Sequence, residues 1–567
     1  MTISPPAPAT ATGEWSRCPG CSAIVYVPRL ARAQRVCPEC GHHHRLNAGE
    51  RLRTLVDDGS FRAAVPQVRG GDPLGFADSL PYAERLARAR ARTGLDDAVL
   101  HGTATVGGHR VIVAVMDFSF LGGSMGSAVG EAVTRACEQA LRERVPLVLA
   151  IASGGARMQE GGLSLMQMGK TAQAMRRLRR AGVFSVCVLT DPTFGGVTAS
   201  FATLGDVLIA ERGALVGFAG PRVIASATRE KLPPGFQSAE YLAARGMLDR
   251  VEPRDGLRPL LARLLAMTGA TTGPAGGGRV PGPPVPGGPA VVIRDPGELS
   301  GGPTAQETVR LARDTRRPTA LDYIWHLCSD FVELHGDRTH GDDPAIVGGT
   351  GLLGGMPVMI IGHQKGHDTK ELVARNFGLA HPEGYRKALR LMRLADRLGL
   401  PVVTLVDTQG AAPGVGAEER GQSWAIAECL AGMSELSVPV VATVVGEGGS
   451  GGALALAVAN RVLMLRHAVY SVISPESCST ILYGDPSHGP ALAESLRITA
   501  PELLRLGVVD GVVPEPRGGA QEDPRAAMEL LRAAVLESLR ELSGLSGDEL
   551  RKHRYERFRG LGVVDSE

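Results

Sequence analysis

A chain of 567 residues, 44% of them hydrophobic and 21% charged, is long enough for two large domains or three to four ordinary ones, each with a sizeable core. A formal net charge of +2 gives no global electrostatic reason to bind nucleic acid or a membrane surface. No uncharged apolar run approaches the roughly 18 residues that a membrane span needs, and residues 1–13 lack a basic stretch followed by an apolar core, so a soluble, cytoplasmic protein is expected.

Taken in chain order, a Pro/Ala/Thr-rich stretch predicts a disordered tail over 1–17. Cys18 and Cys21, then Cys37 and Cys40, follow in the pattern C-x2-C-x15-C-x2-C. Two tight cysteine knuckles at this spacing supply four thiolates to a tetrahedral zinc ion, which predicts a zinc ribbon over 18–45. A four-thiolate site is closed, so the Zn2+ is expected to be structural, its binding energy serving to fold a segment too short for its own core. His42, His43 and His44 are read as surface residues, and Cys137, Cys187, Cys328, Cys429 and Cys478 as ordinary thiols in apolar surroundings.

Next comes a pattern used twice. An amphipathic helix (128–143), a strand beginning at Pro146, a turn containing Gly154, Gly155 and Ala156, a second helix (163–181) and a second strand (186–190) lead to Gly195-Gly196. The same order runs through a helix at 384–398, a strand from Pro401, Gly410-Ala411, a helix at 418–434, and the strand and turn V-V-A-T-V-V-G-E-G-G-S-G-G at 440–452. Pro146 and Pro401 lie 255 positions apart, as do Gly155 and Gly410, whereas the pairs Gly195-Gly196 and Gly451-Gly452 match at 256. One α/β fold in two copies is the economical reading. Each glycine turn is read as opening a helix, whose first N–H groups lack intrahelical partners and whose dipole favours negative charge. Between the copies, a Gly/Pro-rich composition predicts a linker over 268–303. Beyond it, 310–335 reads as helical, 345–362 as strand-rich, 363–366 as a polar turn and 520–545 as an amphipathic helix. M-G-K-T at 168–171 is no phosphate loop, since Ser164 stands where that motif needs glycine. There is no G-x-S-x-G elbow and no local Cys, His and acid trio.

Longer ordered runs carry a family resemblance. F-L-G-G-S-M-G-S (120–127), S-G-G-A-R-M-Q-E (153–160), L-T-D-P-T-F-G-G-V (189–197), G-F-A-G-P-R-V-I (217–224) and R-E-K-L-P-P-G-F-Q (229–237) closely resemble the β subunit of bacterial acetyl-CoA carboxylase carboxyltransferase, four-cysteine module included. A-I-V-G-G (345–349), I-I-G-H-Q-K-G (360–366), P-E-G-Y-R-K-A-L-R-L-M (382–392), G-V-G-A-E-E-R-G-Q (414–422), G-E-G-G-S-G-G-A-L-A (446–455) and Y-S-V-I-S-P-E (470–476) resemble the α subunit. The chain departs from the α pattern at Gln409 and Ala412, where the family reads Pro and Tyr.

The resemblance implies an α/β architecture of two crotonase-like (ClpP/crotonase) domains in tandem, 46–267 and 304–560, preceded by the ribbon. It implies transfer of a carboxyl group from carboxybiotin on a separate carrier protein to acetyl-CoA, giving malonyl-CoA for fatty acid biosynthesis. By carry-over, N–H groups around Gly195 and Gly196 would hold the thioester oxygen and those around Gly451 and Gly452 the biotin carbonyl, with Gly154, Gly155, Ala156, Arg157, Gly410 and Ala411 lining the substrate sites. Arg157, Lys231, Lys365 and Arg420 are candidates for CoA phosphate contacts or interface pairs. The partners implied are a biotin carboxyl carrier protein, a biotin carboxylase and further copies of the chain, because the sequence has neither a Met-Lys-Met biotinylation site nor an ATP loop. Three alternatives stay open at this level: a carboxyltransferase for propionyl-CoA or another acyl-CoA, a crotonase-type hydratase or hydrolase, and a zinc-ribbon nucleic-acid-binding regulator. For the last, Arg29, Arg32, Arg35 and Arg45 offer at most a side role.

Overall fold

The computed structural model describes residues 15–65, 67–220, 224, 231–268, 287–288, 290–299 and 301–561. The chain divides into two compact units, Met1–Ala275 and Gly276–Glu567. Most of the expected tail, and the expected linker from 269 to 286, lie outside the described residues. The ends of both expectations need correction. Trp15–Arg17 is a strand paired antiparallel with Ile24–Tyr26. At the other boundary, Val291 and Val292 donate N–H bonds to Glu537, Ile293 bridges to Val512, and Leu299 is buried. The short β-branched run 291–293 thus adds to the second unit, a signal that the surrounding glycines and prolines mask in a composition window.

In the first unit seven strands run in the order Arg62–Ala63, Val99–Val106, His109–Met116, Leu147–Ser153, Ser185–Thr193, Val207–Glu211 and Arg250–Glu252. The first three are antiparallel and the rest parallel. The second unit repeats this plan with Cys328–Glu333, Ile346–Leu353, Met356–His363, Val402–Thr408, Val440–Gly449, Arg461–Leu465 and Gly511–Val513, and Val469–Ser471 pairs in addition with Val440–Gly449. Leu147–Ser153 and Val402–Thr408 are buried at every position, which is why they read as continuous apolar runs without alternation. Helix Ser127–Glu143 buries Val129, Ala132, Val133, Ala136 and Ala140, the three-to-four spacing of a single apolar stripe. Its counterpart Pro382–Leu398 starts with proline at its first position and ends at Gly399, whose φ of 71° makes the left-handed cap.

Three expected helices change. The 310–335 stretch is two helices, Ala305–Ala312 and Ala320–Leu327, separated around Pro318, followed by strand Cys328–Glu333. The 418–434 stretch breaks at Gly421, where φ is 79°. The helices opened by the glycine turns are single turns, Gly195–Thr198 and Ser450–Leu454, so these turns offer first-turn N–H groups and no macrodipole of useful length.

Candidate active site

Both units build their glycine turns alike. Where Leu147–Ser153 meets Ser185–Thr193, the register slips after Ile151↔Leu189 to pair Ser153 with Thr193; in the second unit it slips after Val406↔Val444 to pair Thr408 with Gly448. Beyond each slip a hydroxyl latches the next loop. Ser153 Oγ accepts the Gly155 N–H at 3.0 Å, and Thr408 Oγ1 accepts the Gly410 N–H at 3.1 Å. The second turn begins at a left-handed residue in each copy, Gly195 with φ 66° and Ser450 with φ 62°. Gly195 therefore corresponds to Ser450, Gly196 to Gly451 and Val197 to Gly452, all at the single offset of 255. The sequence alignment of the two Gly-Gly pairs is out by one residue, because glycine identity was matched where backbone conformation is what repeats.

Within each unit the two predicted groups come together. A Cβ on Gly195 would lie 2.9 Å from the Gly155 Cα, and one on Gly196 would lie 3.4 Å from the Ala156 Cβ. In the second unit a Cβ on Gly452 would lie 2.6 Å from the Ala411 nitrogen and 2.7 Å from the Gly410 carbonyl carbon, whereas one on Gly451 would meet only Ile426 at 3.6 Å. The donors are partly committed. Gly154 N–H goes to the Gly122 carbonyl at 2.8 Å and Gly195 N–H to the Phe218 carbonyl at 2.8 Å. Gly195 thus fixes its turn from behind, and the next N–H in the first turn of the helix is that of Gly196. Gly452 is buried beneath the Gly410-Ala411 loop, and Gly451, the counterpart of Gly196, is half-buried.

The cations behave differently from the expectation of phosphate contacts. The Arg157 side chain is fully buried, bonded to Asp97 at 2.7 and 3.1 Å, to the Tyr82 hydroxyl at 3.1 Å and to Ser124. Burial opposes its charge, but Asp97 more than compensates and holds the guanidinium firmly protonated. Glu160 completes the cluster, accepting from Tyr82 at 2.7 Å and from the Ser127 N–H at 2.6 Å. Arg157 consequently shapes the 154–157 loop and does not face a ligand. Lys365 is likewise internal, 2.8 Å from Asp407 and 2.9 Å from Glu447, whose other oxygen binds Arg313 at 2.7 Å. Arg420 pairs with Glu383, and Lys231 alone of the four is exposed. Ser153, Thr408, Asp97, Tyr82 and Glu160 were missed by sequence reasoning; only Ser153 and Thr408 left a signal, being hydroxyl residues at the repeat offset, each two before its glycine.

The four cysteine sulfurs lie within 4.8 Å of one another, with Cys18–Cys40 at 3.7 Å and Cys21–Cys37 at 3.9 Å. A tetrahedron with metal–sulfur bonds of about 2.3 Å has edges of about 3.8 Å, so the set fits such an ion, while a disulfide at about 2.05 Å does not describe these distances. The histidines beyond it are half-buried and not freely exposed: the His43 side chain is largely covered, 3.8 Å from Glu211, and its burial opposes protonation. Glu211 takes Arg51 at 2.8 Å and Arg254 at 2.7 Å, and Arg254 also donates to the ribbon carbonyls of Gln34 and His44. Arg45, at the end of the 18–45 segment, donates to Asp191 at 3.1 Å and lies 4.3 Å over the Phe118 ring. The ribbon is thereby tied to the strand that ends in the Gly195 turn.

Of the two α-pattern departures, Gln409 is exposed, and its carbonyl oxygen lies 2.0 Å from where a Gly449 Cβ would be. Ala412 is buried, its N–H on the Ala380 carbonyl at 2.9 Å.

Comparison with known proteins bears on this geometry at two levels. The fold is shared with a solved transcarboxylase 12S structure, described as a hexamer assembly with hydrolysed methylmalonyl-coenzyme A bound, at TM-score 0.67 and 23% identity over 91% of this chain and 95% of that one. It is shared too with a single-chain, multi-domain long-chain acyl-CoA carboxylase, at TM-score 0.65 and 20% identity over 89% of this chain and 46% of that one. Residues 45–237 match the carboxyl transferase domain, 301–562 the acetyl co-enzyme A carboxylase carboxyltransferase-like family and 15–40 the acetyl-CoA carboxylase zinc finger domain. Fold and family matches together define a carboxyltransferase of crotonase fold.

Among its relatives, the acetyl-coenzyme A carboxylase carboxyl transferase subunits beta/alpha of Salinispora arenicola is 58% identical over 97% of this chain and 96% of the relative, and that of Saccharopolyspora erythraea 55% identical over 98% and 96%. The separate alpha subunit of Thermus thermophilus is 59% identical over 46% of this chain and 82% of its own length. The chain belongs to the acetyl-CoA carboxylase carboxyl transferase beta/alpha family.

Proposed function

We propose that the chain transfers the carboxyl group of carboxybiotin, carried on a separate biotin carboxyl carrier protein, to acetyl-CoA, giving malonyl-CoA. The observation that supports this reading is the duplicated turn: the same hydroxyl latch, register slip and left-handed residue recur at one offset, with Gly196 and Gly451 in equivalent first-turn positions. The reaction develops two oxyanions, an enolate when the acetyl thioester loses its α proton and a ureido anion when biotin releases its carboxyl. Each needs donors already in place. Gly196 and its neighbour Ala156 serve the thioester oxygen, and Gly451 serves the biotin carbonyl. Decarboxylated biotin takes the α proton, so the reaction requires no side-chain base. The buried clusters around Arg157 and Lys365 hold the two loops rigid.

Cys18, Cys21, Cys37 and Cys40 hold a structural zinc whose four thiolates leave no open position for substrate. The working enzyme is a cytoplasmic homo-oligomer of a dimer or larger that operates with a biotin carboxylase. No helix among the described residues is long and apolar enough to cross a membrane.

The test is transfer of labelled carboxyl from a carboxylated carrier to acetyl-CoA by the purified chain, with propionyl-CoA in parallel. Labelled malonyl-CoA is expected, with acetyl-CoA preferred. Transfer to neither acyl-CoA by zinc-loaded protein overturns the reading, and a preference for propionyl-CoA reassigns the substrate.

A further inference from the structure

His363 ends strand Met356–His363 and Tyr385 is the fourth residue of helix Pro382–Leu398. Both side chains are wholly buried, with ring centroids 6.5 Å apart at 69°. Among the described residues, neither ring nitrogen of His363 nor the Tyr385 hydroxyl makes a well-formed hydrogen bond, the imidazole having only a weak approach to the Gly452 backbone. Burying polar atoms unpaired is costly, and phenylalanine would fill the Tyr385 site without that cost. These unpaired atoms converge on one residue. The backbone of Gly452 faces the imidazole, and a Cβ on Gly452 would lie 2.6 Å from Tyr385 Oη. Burial, reinforced by the nearby Lys365 ammonium, keeps the imidazole neutral, with one N–H to donate and one nitrogen to accept.

We infer that Tyr385 and His363 are positioning residues for the biotin-side half of the transfer, holding the Gly451-Gly452 turn from beneath with hydrogen bonds that are long and weak at rest and shorten when the turn carries a developing negative charge. An interaction stronger in the transition state than at rest raises kcat without tightening substrate binding, and hydrogen bonds of this kind are commonly long before the substrate arrives. The inference rests on the proposed function for its kinetic half and on the fold alone for the rest.

Tyr385→Phe separates the two. In the intact chain, Tyr385→Phe is expected to melt no lower than wild type, to exchange the amide hydrogens of a peptide spanning 446–456 faster, and to lose about tenfold in kcat with the KM for acetyl-CoA unchanged, less than the loss of a direct oxyanion donor. His363→Gln, which keeps a donor and an acceptor, is expected to fall between Tyr385→Phe and wild type. Unchanged exchange at 446–456 overturns the inference, whether or not the wild-type chain transfers carboxyl. Unchanged kcat in Tyr385→Phe overturns it too, as does a drop in melting temperature with kcat and KM shifting together, which would make the hydroxyl merely structural. Failure of the wild-type chain to transfer carboxyl instead counts against the proposed function, leaving the exchange readout to decide this one.

Discussion

Two adjacent glycines in the second turn should respond oppositely to one methyl group. In Gly452→Ala the new Cβ falls 2.6 Å from the Ala411 nitrogen and from Tyr385 Oη, and 2.7 Å from the Gly410 carbonyl carbon, against an ordinary contact of 3.4 Å or more. Two of those three atoms are backbone, so about 0.8 Å of relief must come from moving the Gly410-Ala411 loop or the turn itself. Overpacking of this kind costs about 1–3 kcal/mol, and a displacement near 1 Å at a reacting centre costs about a hundredfold in rate. In Gly451→Ala the methyl meets Ile426 at 3.6 Å and its φ is not left-handed, so the fold should accept it within about 0.5 kcal/mol. The assay is carboxyl transfer from a carboxylated carrier to acetyl-CoA, beside thermal denaturation of each variant. Gly452→Ala with transfer within threefold of wild type, or Gly451→Ala with the larger loss of stability, would refute the argument that close approach at Gly452 sets the turn.

Arg157→Met leaves Asp97 buried without its partner and should cost about 3–5 kcal/mol, read as a lowered denaturation midpoint; Arg157→Lys should recover little, because a lysine cannot supply the paired N–H donors. Purified protein should contain about one zinc per chain, and stripping it with a strong chelator should open the 15–45 segment to protease while lowering the melting temperature, since the Arg254 contacts to Gln34 and His44 need a folded ribbon. The pH dependence has a defined sign at His363, which burial, then Lys365, lowers from 6.5 to about 3. The unfolded chain takes up a proton that the folded one refuses, so this group removes stability as pH falls from about 6.5 toward 3, about 2 kcal/mol of it by pH 5. Urea unfolding of wild type against His363→Gln at pH 8 and pH 5 should show that difference shrinking in the variant; equal pH slopes would contradict it.

Much of this protein was legible in its sequence because the signals are local. Four cysteines within a stretch of 23 residues state their own chemistry, β-branched runs ending in glycine mark strand and turn, and a repeat at offsets of 255 and 256 declares a duplicated fold. Gly155 and Gly410 were correctly paired because each stands nine residues after the proline that opens its strand, Pro146 and Pro401. What sequence spacing could not decide is which groups are already engaged. The Gly195 amide is taken by Phe218, 23 positions on, Arg157 is held by Asp97, 60 positions back, and Lys365 by Glu447, 82 positions on. Local pattern gives a residue its type and its element. Only packing of distant elements against one another determines whether an N–H faces a carbonyl or a substrate, and whether a cation is a free ligand contact or the buried partner of a carboxylate. The same reason explains the one-residue misreading of the second turn: glycine was visible in the sequence, but the left-handed conformation shared by Gly195 and Ser450, and the close approach that requires glycine at 452, exist only in the folded chain.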